Sequence, residues 1–168
     1  MASAAGLALV GAAGCSALGG DKEDASSAPP PNALASLDPC QVLTQQDLSA
    51  YGIEGPGTPV KDVPWAPGCM YQSSDLGLSV YADTKDTVES THSHSQWAKW
   101  DNVDIVGRPG AVAVNGGSKN AHICNAMFDS GRGRINVQAE TNKDGDSSEC
   151  QKAQDVAKQV APRMPPKQ

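Results

Sequence analysis

Large apolar and aromatic side chains are scarce in this chain of 168 residues. Phenylalanine occurs once, and aromatic residues make up 4% of the sequence. Burial of apolar surface contributes only about 25 cal/mol per Å², so a core built mostly from Ala, Val and Leu is weakly stabilised. Covalent cross-links would compensate, and the sequence contains five cysteines.

The chain also lacks a hydrophobic run long enough for a transmembrane helix, which needs about 20 apolar residues. Residues 2–18 carry no charge, but they are mainly Ala and Gly. Such a stretch is typical of the apolar region of a secretory signal peptide. Ala12, Ala13 and Gly14 precede Cys15, an arrangement similar to the lipobox of bacterial lipoproteins. We therefore expect residues 1–14 to be a signal peptide and Cys15 to carry the lipid.

The next segment lacks hydrophobic periodicity. Residues 15–36 are rich in Gly, Ser, Ala, Pro and charged side chains, a composition typical of a flexible tether. The following residues 37–162 are about one domain in length. We expect them to form a single α+β domain followed by a C-terminal tail, residues 163–168.

Basic clusters are nearly absent as well. The formal net charge is −6, and the one dense basic patch, residues 131–134 (GRGR), fits a hairpin turn containing glycine. Nucleic-acid binding requires clustered Lys and Arg, so we expect no nucleic-acid partner.

Sequence signatures of catalysis are missing too. The chain has no Cys-x-x-Cys, no Gly-x-Ser-x-Gly and no glycine-rich phosphate loop after a strand. We therefore expect no catalytic residues, no cofactor and no resident metal. The alternative is a metal-dependent envelope hydrolase that uses His92 and His94, with a third ligand from Asp86, Glu89 or His122.

Alternating and helical patterns define the fold class. Residues 78–83 and 135–140 alternate between apolar and polar side chains, as strands with one buried face do. Helices are predicted after Asp38 and Pro39, over residues 86–100 with Val88, Trp97 and Trp100 as anchors, and near the C-terminus up to Pro162. The prediction is a curved antiparallel sheet with N-terminal, middle and C-terminal helices packed on it.

The four cysteines beyond Cys15 are even in number, as expected for two disulfides in an exported domain. Residues 69–82 and 124–139 look like two copies of one cysteine-containing hairpin. The simplest pairing joins each hairpin to its own helix, Cys40 to Cys69 and Cys124 to Cys150. Each closed loop would contribute roughly 3 to 4 kcal/mol by chain entropy. The crossed and nested pairings remain open.

Together these segments resemble a known family. LDPCQVLTQQDLSAYGI at residues 37–53, GCMY and ICNAMF each opening a hairpin, and SSECQKAQDVAKQV near the end are similar to the actinobacterial lipoproteins called domain of unknown function 3558. The resemblance implies a secreted or lipid-anchored protein and supplies no catalytic residues.

We therefore expect a non-catalytic binding or accessory protein at the extracytoplasmic face of the cell membrane. Its partner would be an envelope protein, a glycan or a small ligand. Trp65 and Tyr81 are the candidate recognition residues, because Trp and Tyr provide large contact areas at low entropic cost.

Lipidation can be tested directly. Cys15→Ser should move the protein from the membrane fraction to the soluble fraction, because it removes the only thiol at the predicted signal cleavage site. Mass spectrometry of the mature N-terminus should show acyl groups on wild-type Cys15. An unmodified Cys15 thiol in protein exported by its native host would contradict the prediction.

Overall fold

The computed structural model describes residues 33–118, 122–141 and 148–168. The predicted signal peptide, Cys15 and most of the predicted tether lie outside the described residues.

Within the described residues, seven strands form one antiparallel sheet in the order β1-β2-β3-β7-β6-β5-β4. The strands are β1 (Thr58–Val60), β2 (Gly68–Gln72), β3 (Leu76–Asp83), β4 (Trp97–Asp104), β5 (Pro109–Asn115), β6 (Ile123–Ser130) and β7 (Gly133–Thr141). The two predicted hairpins are β2-β3 and β6-β7, and they meet in the middle of the sheet through β3 and β7. The α+β class is confirmed, while the curvature of the sheet stays a prediction.

The helices are α1 (Gln45–Ser49), α2 (Val88–His94) and α3 (Glu149–Val160). Asp38 caps a 3₁₀ turn at Pro39–Gln41, and Thr44 and Asp47 form a capping box at the start of α1. Both features follow from the local sequence, because Asp and Thr side chains satisfy the free N–H groups of a first turn. After α3 the chain makes a second 3₁₀ turn, Ala161–Arg163.

The two faces of the sheet differ sharply. One face buries Leu78, Val80, Phe128, Ile135 and Val137 completely beneath α3 and the N-terminal segment. We call this the covered face.

The other face, which we call the open face, carries polar side chains at alternate positions. Ser79, Tyr81, Asn136 and Gln138 are half-buried there, and α2 packs over β5 and β6. Neighbouring strands place these side chains side by side, because paired residues point to the same face.

Both disulfides follow the predicted pairing, Cys40 with Cys69 and Cys124 with Cys150. Cys69 and Cys124 are fully buried and belong to the core of the covered face. Each bond therefore holds a helical segment against the first strand of its own hairpin.

The predicted helix over residues 86–100 is wrong in its second half. The helix ends at His94, and Trp97 and Trp100 lie on β4. A β-bulge between Trp97 and Lys99 adds one residue, so Trp97 and Trp100 share the open face although they are three positions apart. A spacing of three is also the signature of a helix face, which explains the error.

Residues 163–168, which the sequence predicts to be a C-terminal tail, contact the sheet. Met164 is buried, the Gly131 amide donates to the Pro166 carbonyl, and the Gln168 amide donates to the Gly131 carbonyl. Residues 131–134 include the expected turn. The Arg134 side chain is mostly buried and forms an ion pair, with Nη2 3.0 Å from Asp83 Oδ2.

Arg163 connects the C-terminal turn to α1. Its Nη1 donates to the Val42 carbonyl at 2.7 Å and to Asp47 Oδ2 at 2.6 Å. The hydrogen bond from Arg163 holds the pKa of Asp47 well below its usual range.

Asp47→Asn should therefore lower stability by about 1 kcal/mol at pH 7, since it removes the charge and keeps a side chain that can accept hydrogen bonds. A carboxyl group whose pKa is lowered by folding stabilises the protein above the unfolded pKa, about 3.9, and this stabilisation fades as pH falls through the folded pKa. The difference between wild type and variant should then shrink below about pH 4. Urea unfolding at pH 7 and at low pH measures it.

Asp101→Asn is the matched control for that experiment. Asp101 pairs with Lys99 at 2.9 Å, but both side chains are largely exposed. Exposed pairs contribute about 0 to 1 kcal/mol, so we expect a smaller effect. Equal losses for the two variants at pH 7 would contradict a special role for Asp47.

Candidate functional site

Helix α2 starts where two sets of acceptors satisfy its first N–H groups. Thr87 and Ser90 form a capping box, and the Val88 amide donates to Asp129 Oδ1 on β6 at 2.8 Å. Asp129 lies 41 positions along the chain from Val88 and is buried. A carboxylate on the central sheet therefore fixes the position of this short helix.

An aromatic cluster holds the other side of α2 against β4. The rings of His92 and Trp100 are stacked with centroids 4.5 Å apart, and the Trp97 and Trp100 rings are tilted at 5.0 Å. Trp97 Nε1 donates to the Thr91 carbonyl at 3.4 Å, and Trp100 Nε1 donates to Asn102 Oδ1 at 2.8 Å. Because the bulge in β4 places both tryptophans on the open face, they can contact the helix.

A cleft with a volume of about 340 Å³ lies between α2, the β4-β5 hairpin and the C-terminal residues. Its walls are formed by Val88, Glu89, His92, Trp100, Asn102, Val103, Pro109, Gly110, Asp129 and Lys167. Apolar and aromatic walls with a few polar groups are typical of small-ligand sites, which span about 300 to 1,000 Å³. We call this the α2 cleft.

Asp129 and Lys167 form an ion pair at one wall of the α2 cleft. Lys167 Nζ lies 2.6 Å from Asp129 Oδ2, with the carboxylate buried and the lysine half exposed. The hydrogen bond from Lys167 to Asp129 raises the pKa of the lysine, so it stays charged at neutral pH. The pair thus presents a partly neutralised cation to the cleft.

The two histidines proposed as metal ligands differ in whether they line the α2 cleft. Both are exposed on α2, but only His92 lines the α2 cleft, where its ring stacks on Trp100. Residues 33–118, 122–141 and 148–168 contain no group of three or more His, Cys, Asp or Glu side chains that could hold a metal ion.

The predicted recognition residues have different surroundings. Trp65 is 48% exposed in the loop between β1 and β2, with Lys85 Nζ 4.9 Å from its ring centre. Tyr81 is half-buried on the open face, and its ring crosses Gly68, where a Cβ atom would lie 2.4 Å from the ring. Neither residue lines the α2 cleft.

Asp129 and Lys167 were not identified from the sequence. A signal for Asp129 existed, because Asn125, Met127 and Asp129 alternate with buried Cys124, Ala126 and Phe128 and so share the open face. Lys167 had no local signal, since its role depends on a partner 38 positions away.

The described residues thus form an α+β domain in which two disulfides hold the N-terminal 3₁₀ turn and α3 on one face of an antiparallel sheet. It belongs to the family described as protein of unknown function DUF3558, whose sequence model matches residues 10–163. No curated protein and no solved structure matches the chain. None of the helices in the described residues is long and apolar enough to span a membrane.

Trp65→Ala should lower the free energy of unfolding by about 1 to 2 kcal/mol, because about half of the side chain is already exposed. The carbonyl of residue 65, which accepts from Thr84, is retained. Phe128→Ala is the comparison, since a fully buried Phe contributes about 3 to 5 kcal/mol. Equal destabilisation in thermal unfolding would show that Trp65 belongs to the core.

Proposed function

We propose that this protein is a lipid-anchored envelope protein with a non-catalytic binding role. An acyl group on Cys15 holds it at the extracytoplasmic face of an actinobacterial cell membrane. The lipobox-like sequence, the tether composition and the two disulfides support this proposal, because disulfides persist in oxidising compartments.

The α2 cleft is the observation that carries the binding role. It combines the half-buried Trp100 ring with the polar groups of Glu89, Asn102 and Lys167 at its edge. An aromatic wall beside hydrogen-bonding groups suits a ligand with one apolar face and several hydroxyl or amide groups. A sugar unit of an envelope glycan has this chemistry and fits the volume.

The three tryptophans provide an internal readout of binding. Of the three, only Trp100 lines the α2 cleft. Trp97 contacts the Trp100 ring, and Trp65 lies in the loop between β1 and β2. In a ¹⁵N-labelled full chain, N-acetylglucosamine oligosaccharides should shift the indole signal of Trp100 and leave that of Trp65 in place. Oligosaccharides that shift no indole signal at saturating concentration would refute a glycan ligand in this cleft.

The two histidines supply a matched pair of variants. His92→Ala should weaken oligosaccharide binding about tenfold, because it removes a wall of the α2 cleft and the stack on Trp100. His94→Ala should bind like wild type, since His94 lies two residues further along the same helix and does not line the cleft.

The same pair tests the alternative of a metal-dependent hydrolase, which stays a prediction. A site that uses both histidines would lose metal in both variants, as measured by elemental analysis of the full chain. Loss of metal in both, with hydrolysis of the oligosaccharide by wild type, would replace the binding role with the enzymatic one.

A further inference from the structure

The exposed large hydrophobic side chains all lie at one end of the sheet. In the part of the chain that the structure describes, these are Val63, Trp65 and Val106, with exposed fractions of 40%, 48% and 55%. Val63 and Trp65 lie in the loop between β1 and β2, and Val106 lies in the turn between β4 and β5.

The strand pairings place both segments at the same end. Val60 pairs with Gly68, Asp83 with Arg134, and Asp104 with Pro109, so the connections at residues 61–67, 84–87, 131–132 and 105–108 all leave the sheet in one direction. We call this the entry end. The β1-β2 loop and the β4-β5 turn lie near opposite edges of the sheet, four to five strand spacings of about 4.8 Å apart, so the two apolar segments are separated by roughly 20 to 25 Å.

The chain preceding the domain arrives at this end. Ala33, Leu34 and Ala35 line a small cavity together with Thr84, Gly131 and Arg132. Thr84 also donates a hydrogen bond to the Trp65 carbonyl at 2.8 Å through its amide. The predicted tether therefore joins the domain beside the exposed tryptophan, and a flexible chain of about 20 residues spans only about 25 Å on average.

Val106 occupies a backbone conformation that its residue type disfavours. Its φ is +55°, and Gly107 follows with φ +76°, the pattern of a two-residue type I′ turn between strands. Asn-Gly is favoured in such turns, whereas a β-branched residue at positive φ is strained. An apolar side chain is thus exposed at a position where Asn would be more stable.

Three exposed cations lie in connections at the entry end, and one of them contacts Trp65. Lys85 stands over the Trp65 ring, Lys61 and Arg132 are exposed, and Lys167 is half exposed beside Asp129. Carboxylates are present as well: Asp62 is exposed and Asp86 half-buried in these connections, and Asp104 at the end of β4 accepts a hydrogen bond from the Gly107 amide at 2.7 Å. Tryptophan with neighbouring lysines is typical of groups that lie at a membrane surface.

We propose that the entry end is a membrane-contact surface. Val63, Trp65 and Val106 enter the headgroup region of the bilayer, and Lys61, Lys85 and Arg132 face anionic lipid phosphates. The inference rests on the proposed lipid anchor only for its cellular setting. A lipid anchor on a flexible tether attaches the domain without fixing its orientation, and a second contact of this kind orients the domain on the bilayer.

The test uses the full chain with Cys15→Ser, so that no acyl group contributes, and vesicles of phosphatidylglycerol with phosphatidylethanolamine. We expect weak binding: part of this chain co-sediments at high lipid concentration, although the contact alone does not hold the Cys15→Ser protein in the membrane fraction of cells. Adding Trp65→Ser or Val106→Asn should each weaken partitioning roughly fivefold or more, because each removes apolar surface from the interface. Residues 1–32 are common to all variants, so differences between them report the entry end.

Val106→Asn separates this role from a structural one. Asn is favoured at positive φ, so the melting temperature should stay the same or rise while vesicle binding falls. A stabilised variant that binds vesicles like its parent would overturn the proposal, as would a parent chain that does not bind vesicles at all.

Lysine variants provide the charge control. Lys85→Glu should weaken binding to anionic vesicles, whereas Lys99→Glu on the edge strand β4 should not. Equal effects would indicate non-specific attraction and overturn the proposal.

Self-association is tested by sedimentation velocity. Self-association that the entry-end variants abolish would assign the surface to a second copy of the chain and also overturn the proposal. An unmodified native Cys15 would remove the anchor and leave these vesicle results unchanged.

Discussion

The architecture depends on two disulfides that are anchored on the same face of the sheet. Cys69 and Cys124 are both fully buried in the core of the covered face, and their partners Cys40 and Cys150 lie on the N-terminal segment and α3. Two of the helical segments are therefore held on one side. With small side chains such as Ala126, Ala139, Ala153 and Ala157 buried at the α3 contact, the helix lies close to the strands, and the bonds offset the small apolar area of this core.

Helix α2, on the open face, is held by non-covalent contacts. Helix α2 has seven residues, and isolated helices of this length are unstable in water. Its position comes from the capping box, from Asp129 and from the stack on Trp100. The contacts named here that position α2 beside the cleft are non-covalent, whereas two disulfides stabilise the covered face.

Local patterns explain what the sequence analysis predicted correctly. The strands around Leu78 and Ile135 and the cap at Asp38 follow from period and spacing over short distances. Parity predicts two disulfides, and the likeness of the two hairpins favoured the pairing that the structure shows. The position of Trp97 and Trp100 does not, because a one-residue bulge gives a strand the spacing of a helix. The α2 cleft depends on contacts such as Asp129 with Lys167, and no local pattern encodes a partner 38 positions away.

The two proposals constrain each other through the β4-β5 hairpin. Val103 and Pro109 line the α2 cleft. Asp104 ends β4 and Pro109 begins β5, so the turn that carries Val106 directly adjoins the cleft. Lys167 lies at the same end, bonded to Asp129 one residue from the end of β6. If the entry end rests on the bilayer, the cleft opens within a few residues of the headgroup region. The bilayer would then limit the directions from which a ligand can reach the cleft, which favours short glycan segments over bulky polymers.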